Sequence, residues 1–337
     1  MTAFKSAFAS IAIIGKYLNK SALQQMQNDL ANLARHLSAK NITVWLEENT
    51  AQGADLKGFN TAKLEHIGDK VDLAIVMGGD GTMISVARTL MHANIPQVGV
   101  NRGRFGFLTD LRAEDMLSAI DNILAGQHHT ETRMLLTASV YRASKQVHQG
   151  VALNDIVIKS GLRLIELEVK IDGKFMHKQR SDGLILSTPT GTTAYALSAG
   201  GPILHPDLDA IALVPISPHT LSNRPIVLSS SSQIEISLVQ VDDAQISYDG
   251  QFQLALEVGD KVLVQRAVKD ITLLHPADYC YFEMLRNKLN WGQIFNATIL
   301  NHGINCSLPY NFCCHCLVAL CLMILAMNIH ILLALQT

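Results

Sequence analysis

A chain of 337 residues is long enough for two domains, each with a buried core. Lys and Arg number 27 against 29 Asp and Glu, a net charge of −2, which excludes a nucleic-acid binder built on a broad basic face. The 48% of hydrophobic residues excludes an acidic disordered chain.

The charge is unevenly placed. Every Asp, Glu, Lys and Arg lies at or before Lys288, and none occurs from Leu289 to Thr337. This ending accounts for much of the mean hydropathy of +0.20. It also holds Cys306, Cys313, Cys314, Cys316 and Cys321, which leaves Cys280 alone in the charged body. One cysteine forms no internal disulfide, so a reducing cytoplasm is expected. Ile11–Gly15 is too short for the apolar region of a signal peptide.

In chain order, Ile11–Gly15 reads as a buried strand. Leu23, Met26, Leu30, Leu33 and Leu37 then mark one face of an amphipathic helix, with Ser21 near its start. Ile42–Leu46 and Leu73–Met77 are further strands, a helix is expected from about Thr82 to His92, and Gln97–Val100 follows as a strand. Alternating strands and helices imply a parallel sheet covered on both faces. After a boundary between Gly126 and Arg133 the pattern changes. Thr137–Tyr141, Asn154–Ile158, Leu164–Ile171, Leu184–Thr188, Gln233–Leu238 and Gln245–Tyr248 are strand-like, with turns at Asp172-Gly173 and Asp249-Gly250. Only Thr192–Ala199 reads as helical there. The expected fold is a Rossmann-like α/β domain over residues 1–130 and a mainly antiparallel β-sandwich over 131–280, followed by a segment 281–295 returning to the first domain and a charge-free extension 296–337.

Strand Leu73–Met77 runs into Gly78-Gly79-Asp80-Gly81-Thr82. In an open α/β sheet, ligands bind beyond the carboxyl ends of the strands. Glycines there let backbone N–H groups approach a phosphate, and the following helix adds its positive end. The loop is neither a P-loop nor a GxGxxG fingerprint. Asp80 is its unusual member. A carboxylate among phosphate-binding amides repels phosphate unless it accepts a proton from an attacking hydroxyl or holds Mg²⁺ through water. A tight turn using Asp for its turn chemistry is the plainer reading. The thirteen histidines show no HExxH or paired metal spacing, and no Gly-x-Ser-x-Gly elbow occurs.

The loop Gly78–Thr82 resembles the signature of a kinase superfamily that includes NAD kinases, diacylglycerol and sphingosine kinases and, more distantly, phosphofructokinases. Further segments resemble the NAD kinases in particular: Gly99–Asp110, Leu153-Asn-Asp-Ile-Val157, Ser181–Tyr195, Ala199–Ile203, Asp249-Gly-Gln251 and Lys288-Leu-Asn-Trp291. The resemblance spans about residues 8–295. It implies transfer of a phosphoryl group from ATP to the 2′-hydroxyl of the adenosine ribose of NAD⁺, giving NADP⁺ and ADP, with Asp80 as proton acceptor. It also implies nucleotide contacts at Gly78, Gly79, Gly81, Thr82, Asn154, Asp155, Arg163, Arg180, Asp182, Thr193, Ala194, Tyr195, Ala196, Leu197, Ser198 and Gln251. Asp155 stands where the family more often has Glu, one methylene longer. The implied metal is Mg²⁺ or Mn²⁺ held mainly by ATP oxygens and water. The implied protein is a cytoplasmic homodimer or homotetramer that binds no nucleic acid. A lipid or sphingoid-base kinase and a non-catalytic dinucleotide sensor are the alternatives.

The extension carries one membrane candidate, Leu317–Leu335, long enough to span a bilayer but lacking flanking Lys or Arg. Cys313-Cys-His-Cys316 lacks the separated pairs of a structural zinc site. A translated extension outside the functional fold, a membrane tail and a docking helix are the three readings of this segment.

Overall fold

The computed structural model describes residues 6–15, 20–103, 106–161, 163–220 and 222–291. Leu317–Leu335 and the Cys313–Cys316 run lie outside them. The chain divides into two compact units, Met1–Tyr279 and Cys280–Thr337. In the second, the described residues form one helix, Tyr281–Leu289, which ends on Asn290 in the left-handed region.

The first unit begins with an α/β domain. Its sheet runs in the order Asn60–Ala62, Thr43–Glu47, Ser10–Gly15, Leu73–Met77, Gln97–Asn101, Ile271–Pro276 and His128–Arg133, with the short strand Leu111–Arg112 also beside Gln97–Asn101. All pairings are parallel except the last, between Ile271–Pro276 and His128–Arg133. Leu73–Met77 is buried along its whole length, as a central strand covered on both faces must be. The helix Lys20–Ala39 lays Leu30, Leu33, Ala34 and Leu37 against the sheet, and all four are fully buried. The strand order reverses direction at Ser10–Gly15, which opens a crevice beyond Gly15 and Met77.

The rest of the unit is a β-sandwich of two six-stranded antiparallel sheets. Ile165, Leu167 and Val169 point inward from one sheet, and Ile156, Ile158, Leu184 and Leu186 from the other, into a shared apolar core. The polar residues Glu166, Glu168 and Lys170 alternate with the first set, and this period of two locks the register.

Three differences from the sequence reading matter for the site. The strand Ile271–Pro276 pairs in the first sheet, although its position in the chain groups it with the β domain. Its mates are distant in sequence, so no local pattern reveals the crossing. The expected helix Thr192–Ala199 is instead a 3₁₀ turn, Thr190–Thr193, and a separate helical turn, Tyr195–Ser198. Ala194, at φ −103° and ψ −125°, breaks them apart. The helix after the glycine loop spans Asp80–Leu90 and so begins on Asp80 itself.

Candidate active site

Gly78 closes the central strand by donating its N–H to the Val100 carbonyl at 2.9 Å. Gly79 is the N-cap of helix Asp80–Leu90 in an extended conformation. A side chain on Gly78 would collide with Thr82, 2.7 Å from its Oγ1. Asp80 therefore sits on the first turn of a helix at the carboxyl end of the sheet.

The Asp80 carboxylate faces the glycine-rich segment that follows the next strand. Its Oδ2 accepts the Phe107 N–H at 2.7 Å. Its Oδ1 accepts the Leu108 N–H at 3.1 Å and the Thr109 hydroxyl at 3.1 Å. Thr109 in turn receives the Asn101 side-chain amide at 3.1 Å. Two glycines permit this approach. A Cβ on Gly106 would lie 1.7 Å from Asp80 Oδ1, and one on Gly99 would lie 2.6 Å from the Leu108 carbonyl oxygen. The carboxylate is thus held in one orientation by three donors.

Beside the loop, a cavity of about 840 Å³ opens at the strand ends, lined among others by Gly15, Glu47, Gly81, Thr82, Ser85 and Gln251. A second cavity, of about 340 Å³, is lined among others by Asn154, Asp155, Ala194, Tyr195, Asp249 and Gly250. One hairpin turn reaches both. Asp249, at φ 52°, and Gly250, at φ 64°, form its left-handed corner, and the next residue, Gln251, donates its side-chain amide to the Gly81 carbonyl at 2.8 Å.

Asp249 organises the second cavity. Its Oδ1 accepts the N–H groups of Asn154 and Asp155 at 2.7 and 3.1 Å, and its Oδ2 accepts that of Leu153 at 3.0 Å. Arg88 approaches the same carboxylate at 3.5 Å. Burial raises the pKa of Asp249 against these hydrogen bonds and the Arg88 charge. Asp155 is 5% exposed, and burial together with the Asp249 charge pushes its pKa up to about 7. Asn154 Oδ1 is buried with no partner among the described residues.

The threonine-rich block folds over this segment. The Thr188 hydroxyl donates to the Leu153 carbonyl at 2.6 Å, and a Cβ on Gly191 would lie 2.1 Å from the Asn154 carbonyl oxygen. The Thr192 hydroxyl donates to the Pro189 carbonyl at 2.6 Å and accepts the Leu204 N–H at 3.0 Å. Thr193 donates to the Thr190 carbonyl. These hydroxyls fasten the turn to itself and to the strand entry.

The expected site residues therefore divide. Gly81, Thr82 and Gln251 meet at one cavity, and Asn154, Asp155, Ala194 and Tyr195 at the other. Ala196 is fully buried in an apolar cluster with Val157 and Ile185. Leu197 is half-buried and Ser198 exposed, and neither lines these cavities. Arg180 and Asp182 are exposed at the end of strand Lys174–Ser181 and line neither cavity. Arg163 is exposed and paired with Asp242 at 2.8 Å. Sequence reasoning missed Arg88 and the organising role of Asp249. The Asp-Gly pair was a visible turn signal, but the amides it collects come from about 95 residues away in the chain. Among the described residues, no group of three or more His, Cys, Asp or Glu side chains forms a metal site.

Two family models match the chain: the ATP-NAD kinase N-terminal domain over residues 11–128 and the ATP-NAD kinase C-terminal domain over residues 153–275. The NAD kinase of Thiobacillus denitrificans is 47% identical over 288 residues, covering 85% of this chain and 98% of that protein. The NAD kinase of Nitrosospira multiformis is 48% identical, covering 85% and 97%. Among solved structures, yeast NADH kinase complexed with NADH superposes with a TM-score of 0.78 at 26% identity, covering 85% of this chain and 89% of that one. An NAD kinase from Archaeoglobus fulgidus in complex with ATP shares the fold, with a TM-score of 0.66 at 24% identity, covering 83% and 98%.

Proposed function

The chain belongs to the NAD kinase family, and from that premise we propose how its residues carry the reaction. Its activity is the ATP-dependent phosphorylation of NAD, a transferase reaction. The relatives do not favour a lipid kinase or a non-catalytic sensor.

The acceptor is the 2′-hydroxyl of the adenosine ribose of NAD⁺. A neutral hydroxyl is a weak nucleophile, and a carboxylate within hydrogen-bond reach takes its proton as the bond to phosphorus forms. Asp80 is that base. Its three donors fix the direction of the carboxylate, so little reorientation remains in the transition state. The phosphates of ATP lie along Gly78, Gly79, Gly81 and Thr82, where the start of helix Asp80–Leu90 presents backbone N–H groups.

In the second cavity, the unpartnered Asn154 Oδ1 suits an amino donor such as that of adenine. Asp155, once ionised, accepts a ribose hydroxyl. Arg180 and Asp182 contribute toward the nicotinamide end, and the Thr193–Ser198 turn toward the dinucleotide, as the family resemblance implies. A divalent cation, Mg²⁺ or Mn²⁺, enters with ATP. Asp80 accepts three hydrogen bonds and is assigned the substrate's proton, and the cation, as a hard ion at phosphates, would be held mainly by ATP and water oxygens. A cytoplasmic homodimer or homotetramer is the proposed state. The lone cysteine of the charged body, Cys280, supports the compartment, and no described helix is long and apolar enough to cross a membrane.

The observation that carries this reading is the single hairpin whose Asp249 and Gly250 line one cavity while Gln251 lines the other. The two recesses share this hairpin, which supports a ligand that spans both. The test is the full chain with NAD⁺, ATP and Mg²⁺, assayed for NADP⁺, with Asp80→Asn alongside and NADH in a parallel arm. Absence of product, or undiminished activity in Asp80→Asn, overturns the reading.

A further inference from the structure

Behind the site lies a buried chain of charged groups that the reaction as described does not use. His275, on the strand that crosses back into the first sheet, is 1% exposed. Its Nδ1 lies 2.9 Å from Asp110 Oδ2 and its Nε2 lies 3.1 Å from Glu131 Oε2. Glu131 also takes the Arg133 guanidinium, and Arg133 donates to the Thr190 hydroxyl at 3.1 Å. Glu131 and Arg133 are themselves 5% and 2% exposed.

The two ends of this chain are the two halves of the site. Asp110 directly follows Thr109, which with Phe107 and Leu108 holds the Asp80 carboxylate. Thr190 opens the 3₁₀ turn whose Gly191 packs on the Asn154 backbone. We propose that His275 is a positioning residue, which as a doubly donating imidazolium bridges Asp110 and Glu131 and so locks the loop that aims Asp80 to the turn that shapes the dinucleotide cavity.

The hydrogen-bond chemistry requires the charged form. A neutral imidazole has one N–H and one acceptor nitrogen, and here both nitrogens face carboxylate oxygens. Loss of the proton sets a lone pair against a buried carboxylate and breaks one link. Asp110 has no substitute at hand, since its Oδ1 is buried without a partner among the described residues. Burial alone would lower the pKa of His275, but the bonds to Asp110 and Glu131 outweigh it and hold the pKa above the usual histidine value. The other groups near the ring are Tyr279, stacked at 4.1 Å, and His129, at 6.5 Å. The neighbouring strand Gln97–Asn101 carries no charged residue, and Asp121 of the packed helix Met116–Leu124 is engaged by His36 and Lys40.

This proposal rests on Asp80 as the base. Its test measures kcat and both KM values of the full chain between pH 6 and 10 for wild type, His275→Gln, Asp110→Asn and Glu131→Gln, with Asp80→Asn alongside. The expected result for His275→Gln is a kcat at least about tenfold lower, with KM values within about twofold, and loss of the alkaline fall in kcat that wild type shows. The isosteric Asp110→Asn and Glu131→Gln each remove one charged partner, and move that fall to lower pH by about one unit. A folded His275→Gln with kcat within twofold of wild type overturns the proposal. So does an alkaline limb that stays in place in both isosteric variants, whether or not His275→Gln folds. Activity retained in Asp80→Asn removes the base itself and the proposal with it. An inactive Asp80→Asn beside unaltered His275, Asp110 and Glu131 variants leaves the base standing and overturns only the positioning role.

Discussion

Gln251 and Gly81 are 170 residues apart in the chain, yet the Gln251 side-chain amide donates to the Gly81 carbonyl at 2.8 Å. This bond fastens the hairpin of the β-sandwich to the glycine loop of the α/β domain. Gln251→Ala removes one hydrogen bond, worth about 1 kcal/mol. The expected outcome is a kcat/KM for NAD⁺ lower by about fivefold at unchanged fold, read from steady-state kinetics and circular dichroism.

Gly106→Ala tests how closely the loop must approach Asp80, the proposed base. The added methyl would lie 1.7 Å from Asp80 Oδ1, so the loop or the carboxylate must shift. Because an ångström-scale misplacement of a catalytic group costs about 100-fold, kcat should fall by at least that factor while ATP binding, followed by calorimetry, persists.

Asp155 predicts a pH dependence with a definite sign. Its pKa is raised from 3.8 to about 7 by burial and then by the Asp249 charge. The folded state therefore favours the protonated form. The stability this contributes is complete below about 4 and is lost as pH rises through about 7. The difference in melting temperature between wild type and Asp155→Asn should shift against wild type across that window. NAD⁺ binding should run the other way, with KM rising as pH falls below about 7, since the ionised carboxylate is the stronger acceptor for the proposed ribose hydroxyl. Asp155→Asn should flatten that KM profile.

Arg163 distinguishes a ligand contact from a surface ion pair. Its side chain is 76% exposed and its partner Asp242 is 52% exposed. Pairs of this kind contribute roughly 0–1 kcal/mol. Arg163→Ala is expected to leave KM for NAD⁺ and the melting temperature essentially unchanged, and a severalfold rise in KM would assign it to the ligand instead.

The matched 288 residues of this chain cover 98% of the Thiobacillus denitrificans relative. Removal of residues 296–337 should therefore preserve kcat and both KM values. A loss of activity with retained fold would give the extension a role in catalysis.

The α/β domain and the loop Gly78–Thr82 were legible because their signals are local. A run such as Leu73–Met77 is apolar at every position, as a strand buried on both faces requires, and glycines at its end mark a close backbone approach. The sandwich was legible wherever apolar and polar residues alternate, as in Ile165–Ile171. Strands with mixed patterns, such as Lys145–Ala152, were not, because one face meets solvent and cross-strand partners set their pairing. The resemblance supplied the proposed base, Asp80. What tertiary structure alone decided is where each side chain goes. Asp249 reads locally as a turn residue and becomes the acceptor for three amides brought from Leu153, Asn154 and Asp155. His275 reads as one histidine among thirteen and becomes the link between Asp110 and Glu131. Such roles depend on partners about 95 to 165 residues away, and a hydrogen bond between distant residues leaves no periodicity in the chain that makes it.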